Sequence, residues 1–502
     1  MPWSFGFVVM LVCLLILLAC GAVKMLFKRG MRLRAVRVRG KDRGGVVTVR
    51  TPVTTTDEAQ RSADATGLPR ALMRASGPLP AILVVLGVMG WLCWRVLMNR
   101  HHVLDAWVVW TFDVLFVIVA VQLVMAGFEG RMVGGGAVHR VAVLVPLYNE
   151  DPDVVVQMLS ALLNQTSPPA EIHVVDDGST QGAYVEERDW FIRQAAVARI
   201  YATWQRTANE GKRHAQIHGF RKIRDADLFV TVDSDSMLDA EALHEIVQPF
   251  SDPRVMSVAG VILAINNREN LLARVTDVIF VGQQLIDRSF MSRLGSVMVN
   301  SGGLAAYRRS ILADNIDIYT HESYLRRHVE FSDDSLLTLF ALLRGRTVQQ
   351  PSAFAFAWMP DRWSHHYRQQ ERWFRGSFIR GLWRIRFLPV LSWGWWRQVT
   401  GWMQVWLVIS LFVYLVLWRP LVVGDGIPPA ALLVPLAIGL AQGSRYIAVW
   451  RSDTTGSERC ISLILSPAAT LWSALILRPL RVWGMVTSGK MGWNTRQQVE
   501  VT

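Results

Sequence analysis

Asp233-Ser234-Asp235 sets two carboxylates one residue apart. Carboxylates at that spacing can hold Mg2+ or Mn2+, hard cations that prefer oxygen ligands, and such an ion would neutralise a departing diphosphate. Asp176-Asp177-Gly178-Ser179 offers carboxylates that can accept hydrogen bonds from the base or ribose of a nucleotide. In Asn209-Glu210-Gly211-Lys212-Arg213, Lys212 stands near a helix start, where dipole and ammonium both favour phosphate. Ser332-Asp333-Asp334-Ser335 precedes an apolar, helix-like run. A carboxylate there can take the proton of an attacking hydroxyl, and repulsion between the two neighbours raises one pKa and makes a better base. Gln369-Gln370-Glu371-Arg372-Trp373 supplies a guanidinium for phosphate and a flat apolar face for a sugar ring.

Taken singly, each pattern has a plainer reading. Asp and Ser favour turns, acids behind a Ser cap stabilise a first helical turn, and the Lys212 group can be a solvated charge cluster. Position separates the readings. Short β-branched runs at 141–145, 172–175, 228–232 and 255–262 predict strands, with helical patterns at 152–164, 212–224 and 240–250. That alternation, within 138–362, predicts a mostly parallel sheet covered by helices. Ligands of such sheets sit beyond the carboxyl ends of the strands. The Pro146-Leu147-Tyr148-Asn149-Glu150 turn, Asp176-Asp177 and Asp233-Ser234-Asp235 each follow a predicted strand, so three strands deliver polar groups to one edge.

Apolar segments flank this region. The stretches 5–27, 79–98 and 104–128 before it, and 402–418 and 430–450 after it, are long and apolar enough to approach the about 20 residues a span requires. Asp113, inside the third, is read as facing other helices. Pro467 and Pro479 leave 460–483 open as a span, an interfacial segment or a re-entrant one. Phe374, Phe378, Leu382 and Ile385, interleaved with Arg375, Arg380, Arg384 and Arg386, predict a basic amphipathic helix on a membrane surface within 363–396. Trp393, Trp395, Trp396 and Trp402 suit a headgroup belt. The net charge of +13 concentrates in a basic linker at 28–78, where positive-inside topology explains it and makes the region from 129 onward cytoplasmic. No nucleic-acid reader motif accompanies the charge. Cys13, Cys20, Cys93 and Cys460 lie in or beside apolar segments and have neither disulfide-framework nor metal-ligand spacing.

Together these residues resemble the processive family-2 glycosyltransferases of GT-A fold, most of all hyaluronan synthases and rhizobial chitin-oligosaccharide synthases, with cellulose synthases more distant. Gly211-Lys212-Arg213 is similar to the family's donor-binding stretch, Asn300-Ser301-Gly302-Gly303 to its acceptor segment, residues 369–373 to its QxxRW signature, and Trp493-Asn494-Thr495-Arg496 to a WGTR tail. Ser335 stands where relatives often have Arg, Gly303 where they often have Pro, and Asn494 where they have Gly.

The resemblance implies an α/β GT-A-like domain inserted between N- and C-terminal transmembrane helices, with interfacial amphipathic helices, a C-terminal membrane region at 397–484 and a tail at 485–502. It gives the base to Asp334 and the metal, Mg2+ or Mn2+, to Asp235 and Asp233. The donor falls to Tyr148, Glu150, Asp176, Asp177, Lys212, Asp233, Gln369, Arg372, Trp493, Thr495 and Arg496, and the acceptor to Ser301, Gly302, Gly303 and Trp373. The expected activity is processive, inverting polymerisation of a UDP-sugar into a β-linked polysaccharide, hyaluronan-like or containing N-acetylglucosamine, with translocation across the cytoplasmic membrane. Its partners would be the donor, the growing chain and membrane lipids, with no nucleic acid. Three alternatives stay open: a non-processive lipid-carrier glycosyltransferase, a GDP-sugar uronate polymer synthase, and a catalytically degenerate membrane scaffold or transporter.

Overall fold

The computed structural model describes residues 69–73, 87, 106–134, 139–180, 182–424, 426 and 430–490. The expected span at 5–27, all of that at 79–98 except Gly87, nearly all of the basic linker, and Trp493, Thr495 and Arg496 lie outside the described residues, as does the side chain of Asp113.

The apolar β-branched runs form the middle of one eight-stranded sheet. In chain order the strands are Val141–Leu147 (β1), Glu171–Asp176 (β2), Tyr201–Arg206 (β3), Leu228–Thr231 (β4), Ser236–Leu238 (β5), Val255–Ala264 (β6), Ala305–Arg308 (β7) and Arg346–Ala357 (β8). They lie side by side in the order β3-β2-β1-β4-β7-β6-β8-β5. Strands β1, β2 and β4 are buried throughout, and strands covered on both faces read as continuous apolar runs. The sheet is mostly parallel, as expected, with two strands reversed. β3, β2, β1 and β4 run parallel, as do β6 and β8, but β7 enters antiparallel between β4 and β6, and β5 pairs antiparallel with β8. The Ala305-Ala306-Tyr307-Arg308 sequence of β7 lacks β-branched residues, so its strand character comes from its two neighbours rather than from propensity.

Helix α1 is Ala106–Gly127. Helix α2, Pro152–Leu163, starts at Asp151, whose carboxylate accepts from the N–H groups of Asp153 at 2.9 Å and Val154 at 3.4 Å. Such a cap satisfies donors that the first turn leaves unpaired. Its Val155, Met158, Leu159 and Leu162 are fully buried in the main core, where truncating one of the larger side chains to Ala would cost about 2–5 kcal/mol. Helices α3 (Lys212–Phe220), α4 (Leu271–Gly282), α5 (Asp333–Arg344) and α6 (Trp363–Phe387) complete the part that positions the site.

Beyond it come α7 (Trp393–Phe412), α8 (Ala430–Ile447) and α9 (Gly456–Trp472). With the turns that continue α7 and α9, Trp393–Val423 and Gly456–Val486 are long and apolar enough to cross a membrane. α1 and α7 leave the α/β domain together: Gln122 (3.4 Å) and Arg397 (2.6 Å) both reach Asp287, and further out Leu115 packs with Leu407, Leu411 and Leu415. α9 behaves differently. Pro467 and Pro479 do not interrupt it; a π-helical turn at Ser473–Leu477 lies between them. Its start is tied to Arg268 through Glu458 at 2.7 Å, and its last turns reach Glu371 through Trp483 at 2.9 Å and Arg375 through Thr487 at 3.1 Å. Just past them Gly489 accepts from Arg327 at 3.1 Å. Both ends of α9 rest on the α/β domain and α6.

The turn before α9 is also docked. Val449–Arg451 pairs antiparallel with Ala71–Met73, Arg70 reaches Asp239 at 3.1 Å, and the Tyr446 hydroxyl donates to Asp277 at 2.5 Å. The two N- and C-terminal segments are thus fastened to one another and to the sheet domain.

Candidate active site

Strands β2, β1 and β4 are neighbours; β2 ends on Asp176 with Asp177 just past it, and the turns after β1 and β4 carry Tyr148 to Glu150 and Asp233 to Asp235. The first turn is held by its own acids. Asp176 is fully buried; one oxygen accepts the Ser179 N–H at 2.9 Å and the other lies 3.5 Å from Arg206. Asp177 accepts the backbone N–H groups of Glu210 at 3.0 Å and Gly211 at 2.8 Å. Burial pushes its carboxyl up, and those two N–H groups pull it back. The result is a fixed start for α3, whose first residue is Lys212. Glu150 is buried and accepts from the Ser234 hydroxyl at 2.9 Å, tying the β1 turn to the β4 turn. Tyr148 is half-buried.

Lys212 gathers the remaining acids. Its ammonium donates to Asp233 at 2.6 Å and lies 3.5 Å from Asp333. Asp235 follows within the same turn and accepts from the Ser236 hydroxyl at 3.5 Å. Ser301, Gly302 and Gly303 close over them. A Cβ on Gly302 would sit 3.1 Å from both Asp233 oxygens, so glycine keeps a side chain off that carboxylate. The Ser301 hydroxyl accepts from Arg288 at 2.7 Å, and burial brings that guanidinium down to about 10.

Asp333 and Asp334 open α5. Ser332 stands at the cap position with a left-handed φ of 59° and makes no capping side-chain hydrogen bond. The Asp334 carboxyl is pushed up to about 6, first by burial and then by the neighbouring Asp333 charge, while Lys212 opposes the rise. A carboxylate poised near neutrality is suited to accept a proton.

Helix α6 presses on that corner. Gly376 abuts Ser332, where any side chain would collide. Arg380 and Arg384 were expected among headgroups, but both are buried. Arg380 pairs with Glu322 and donates to the Ser332 carbonyl at 3.4 Å; Arg384 donates to the Met298 carbonyl at 2.6 Å and is brought down to about 9 by burial. Glu322 also takes Arg213 at 2.8 Å and the Trp383 indole N–H at 2.9 Å. Burial raises the Glu322 carboxyl, but Arg380 and Arg213 outweigh that and hold it below its usual range. Glu322 thus joins α3, the loop before α5, and α6. No motif marked it in the sequence; the one signal was a pair of arginines on helices that had to be buried with a partner. The apolar stripe of α6 faces other helices, with Phe378 stacked on Trp402 at 6.0 Å. Of the tryptophans expected in a belt, Trp395 is buried while Trp393 and Trp396 are exposed.

One cavity of about 1250 Å³ unites most of these groups. Lys212, Asp233, Asp235, Asp333 and Asp334 line it, with Ser301, Gly302 and Gly303. Gln369, Arg372 and Trp373 line it from α6, Trp373 stacking on Phe280 at 5.8 Å. Its walls continue along α1, α7, α8 and α9, where Leu115, Trp406, Leu411, Ile438 and Ala469 face it. Tyr148, Glu150, Asp176 and Asp177 do not line this cavity; they hold the turns beside it.

Two carboxylates at a strand end, a lysine at a helix start and a buried carboxyl near pH 6 define a site able to bind phosphate and deprotonate a hydroxyl: a group-transfer enzyme on an α/β sheet. Residues 139–376 match the family described as "Glycosyltransferase like family 2". The chain is 29% identical over 370 residues to a hyaluronan synthase of Streptococcus pyogenes, covering 72% of this chain and 84% of that one. It is 33% identical over 263 residues to an N-acetylglucosaminyltransferase of Bradyrhizobium diazoefficiens, covering 51% and 52%. A solved mannosyltransferase of Pyrobaculum calidifontis overlaps with a TM-score of 0.45 at 18% identity, over 80% of this chain and 99% of that one. The chain carries a family-2 glycosyltransferase domain and is a hexosyltransferase, similar to hyaluronan synthases and to a rhizobial N-acetylglucosaminyltransferase.

Proposed function

We propose that this hexosyltransferase is a membrane-integrated, processive and inverting enzyme that builds a β-linked polysaccharide from UDP-sugars and passes it through the cytoplasmic membrane, with its α/β domain on the cytoplasmic side. The polymer is hyaluronan-like or contains N-acetylglucosamine. The observation that carries this reading is the continuity of the cavity: the acids, Lys212 and Arg372 open into the same space that α1 and α7 line with apolar side chains. A transferase that released its product to the cytoplasm would have no use for a site opening between such helices.

In this reading Asp334 accepts the proton of the acceptor hydroxyl as its oxygen bonds to the anomeric carbon and the bond to the diphosphate breaks. Lys212 and Arg372 hold the diphosphate, and Trp373 offers its face to the acceptor sugar. Asp176, Asp177, Tyr148 and Glu150 shape the donor side, Gln369 and the tail residues Trp493, Thr495 and Arg496 complete it, and Ser301, Gly302 and Gly303 border the acceptor. Asp233 and Asp235 fit a divalent cation. A small hard cation is commonly held by one or two carboxylates plus substrate phosphates, and Gly302 keeps a side chain off Asp233. When bound, Mg2+ or Mn2+ would offset the charge of the departing diphosphate.

The test is a donor screen. Purified protein would be given each labelled UDP-sugar, singly and in pairs, with Mg2+ or Mn2+, and products sized on a gel. Chains of many sugars are expected. Products that stop at one added sugar would mean a non-processive transferase, and transfer only from GDP-sugars would replace the donor.

A further inference from the structure

Glycine is among the poorest residues for a helix interior, yet Gly376 stands in the middle of α6. Its reason is the loop it meets. A Cβ there would sit 2.9 Å from the Ser332 Cβ and closer still to the Ser332 hydroxyl, with the Phe331 ring at 3.3 Å. The hydroxyl could rotate away, but the Ser332 Cβ moves only with its backbone. That backbone is already committed. Ser332 has φ 59° and ψ 41°, in the left-handed region that favours glycine. A non-glycine residue stays there only where its surroundings fix it. Here the Phe331 carbonyl accepts from Arg213 at 2.7 Å, and the Ser332 carbonyl accepts from Arg380 at 3.4 Å and from the Leu336 N–H at 3.2 Å. Asp333 and Asp334 follow at once. Asp334 is fastened within the same turn: its carboxylate accepts the Ser335 N–H at 2.6 Å, and its carbonyl accepts the Thr338 hydroxyl at 2.7 Å. A displaced cap would therefore carry the Asp334 carboxylate with it.

We propose that Gly376 and Ser332 are a matched pair of positioning residues: the space that Gly376 leaves on α6 seats the Ser332 side chain, and that seat places Asp334 for proton transfer. The inference rests on the reading of Asp334 as the base. Neither member of the pair binds substrate or moves a proton. The same helix carries Arg372, four residues before Gly376 and hence on the same side, and Arg372 lines the cavity with Asp334. The seat thus sets the base and the diphosphate-holding arginine relative to one another. Rate depends steeply on such placement, and a shift of about 1 Å can cost about 100-fold. The fit is reciprocal. A side chain at position 376 collides with that of Ser332, and removing the Ser332 side chain makes room for it.

The test is a double-variant cycle on the purified full-length protein. UDP release would be followed with UDP-N-acetylglucosamine and UDP-glucuronate supplied together with Mg2+, and UDP binding measured by calorimetry. Gly376→Ala is expected to lower kcat by about 10- to 100-fold, with donor KM and UDP binding staying near the wild type. Ser332→Gly alone should cost less. Combined with Ser332→Gly, Gly376→Ala should do little further harm, leaving kcat within about twofold of Ser332→Gly, the spread of sites that do not interact. A residue that only stabilised the fold would lower active protein and not split kcat from KM in this way. Wild-type kcat in Gly376→Ala would overturn the pair, as would a double variant in which the two losses simply multiply. If Gly376→Ala does not fold, the double variant decides: folding with turnover near that of Ser332→Gly supports the pair, and failure of either overturns it. Asp334→Asn is the reference. Near-normal turnover in that variant would overturn the base reading and the positioning role with it, whereas uncoupled losses beside an inactive Asp334→Asn would overturn the pair alone.

Discussion

Two acidic doublets in this molecule have nearly the same sequence and opposite surroundings. Asp176-Asp177 is sheltered beside the cavity, with its oxygens engaged by backbone N–H groups of Ser179, Glu210 and Gly211. Asp333-Asp334 opens into the cavity, faces Lys212 and has one carboxyl lifted to about 6. The first doublet stiffens the turn that aims Lys212; the second is left with an unfilled task. Local sequence does not separate them. What separates them is the number of N–H groups that the fold turns toward each pair.

The largest expected effect tests the open doublet. Asp334→Asn should lower turnover by about 10²- to 10⁴-fold, the range for a missing general base, while UDP binding by calorimetry is retained. Near-normal turnover would place the base elsewhere. Glu322→Gln strikes the support behind that doublet. It leaves Arg213 and Arg380 buried with a neutral partner, and about 3–5 kcal/mol of stability should go, read as a lower unfolding midpoint of the full chain. An unmoved midpoint would show that the cluster is not buried as described. Asp177→Asn strikes the sheltered doublet: one backbone N–H at Glu210 or Gly211 meets an amide donor, about 1–3 kcal/mol is lost, and the donor KM rises because Lys212 loses its fixed start. If only kcat moved, Asp177 would belong to the chemistry instead.

The smallest effect is a pH shift. As the proposed base Asp334 would work deprotonated, so kcat/KM should fall as pH drops below about 6. Asp333→Asn removes a neighbouring negative charge, which makes Asp334 easier to ionise. The acid limb should therefore move to lower pH, by about one unit at most. A limb that stays or rises would remove Asp333 as a cause.

Much of this arrangement was legible in the chain. Strands β1, β2, β4 and β6 announce themselves through Val- and Ile-rich runs, and the turns after three of them carry the acids. β7 was not legible, because an Ala-Ala-Tyr-Arg segment becomes a strand only between β4 and β6. Nor was the burial of Arg380 and Arg384: on a helix rich in arginine they look like surface charges, and only Glu322, distant in sequence, and the Met298 carbonyl explain their place. The prolines of α9 signalled a break, yet a π-helical turn between them leaves the helix continuous. The division of labour between the two doublets was hidden for the same reason. It depends on Glu210 and Gly211 folding back onto Asp177, a contact that no spacing encodes.

The central claim is that chemistry and export share one cavity. Purified protein would be reconstituted into liposomes with its α/β domain outward, supplied with labelled UDP-sugar, and then exposed to an external polysaccharide hydrolase. The account predicts polymer that resists digestion until detergent opens the liposomes. Long product that is fully digested without detergent would contradict it.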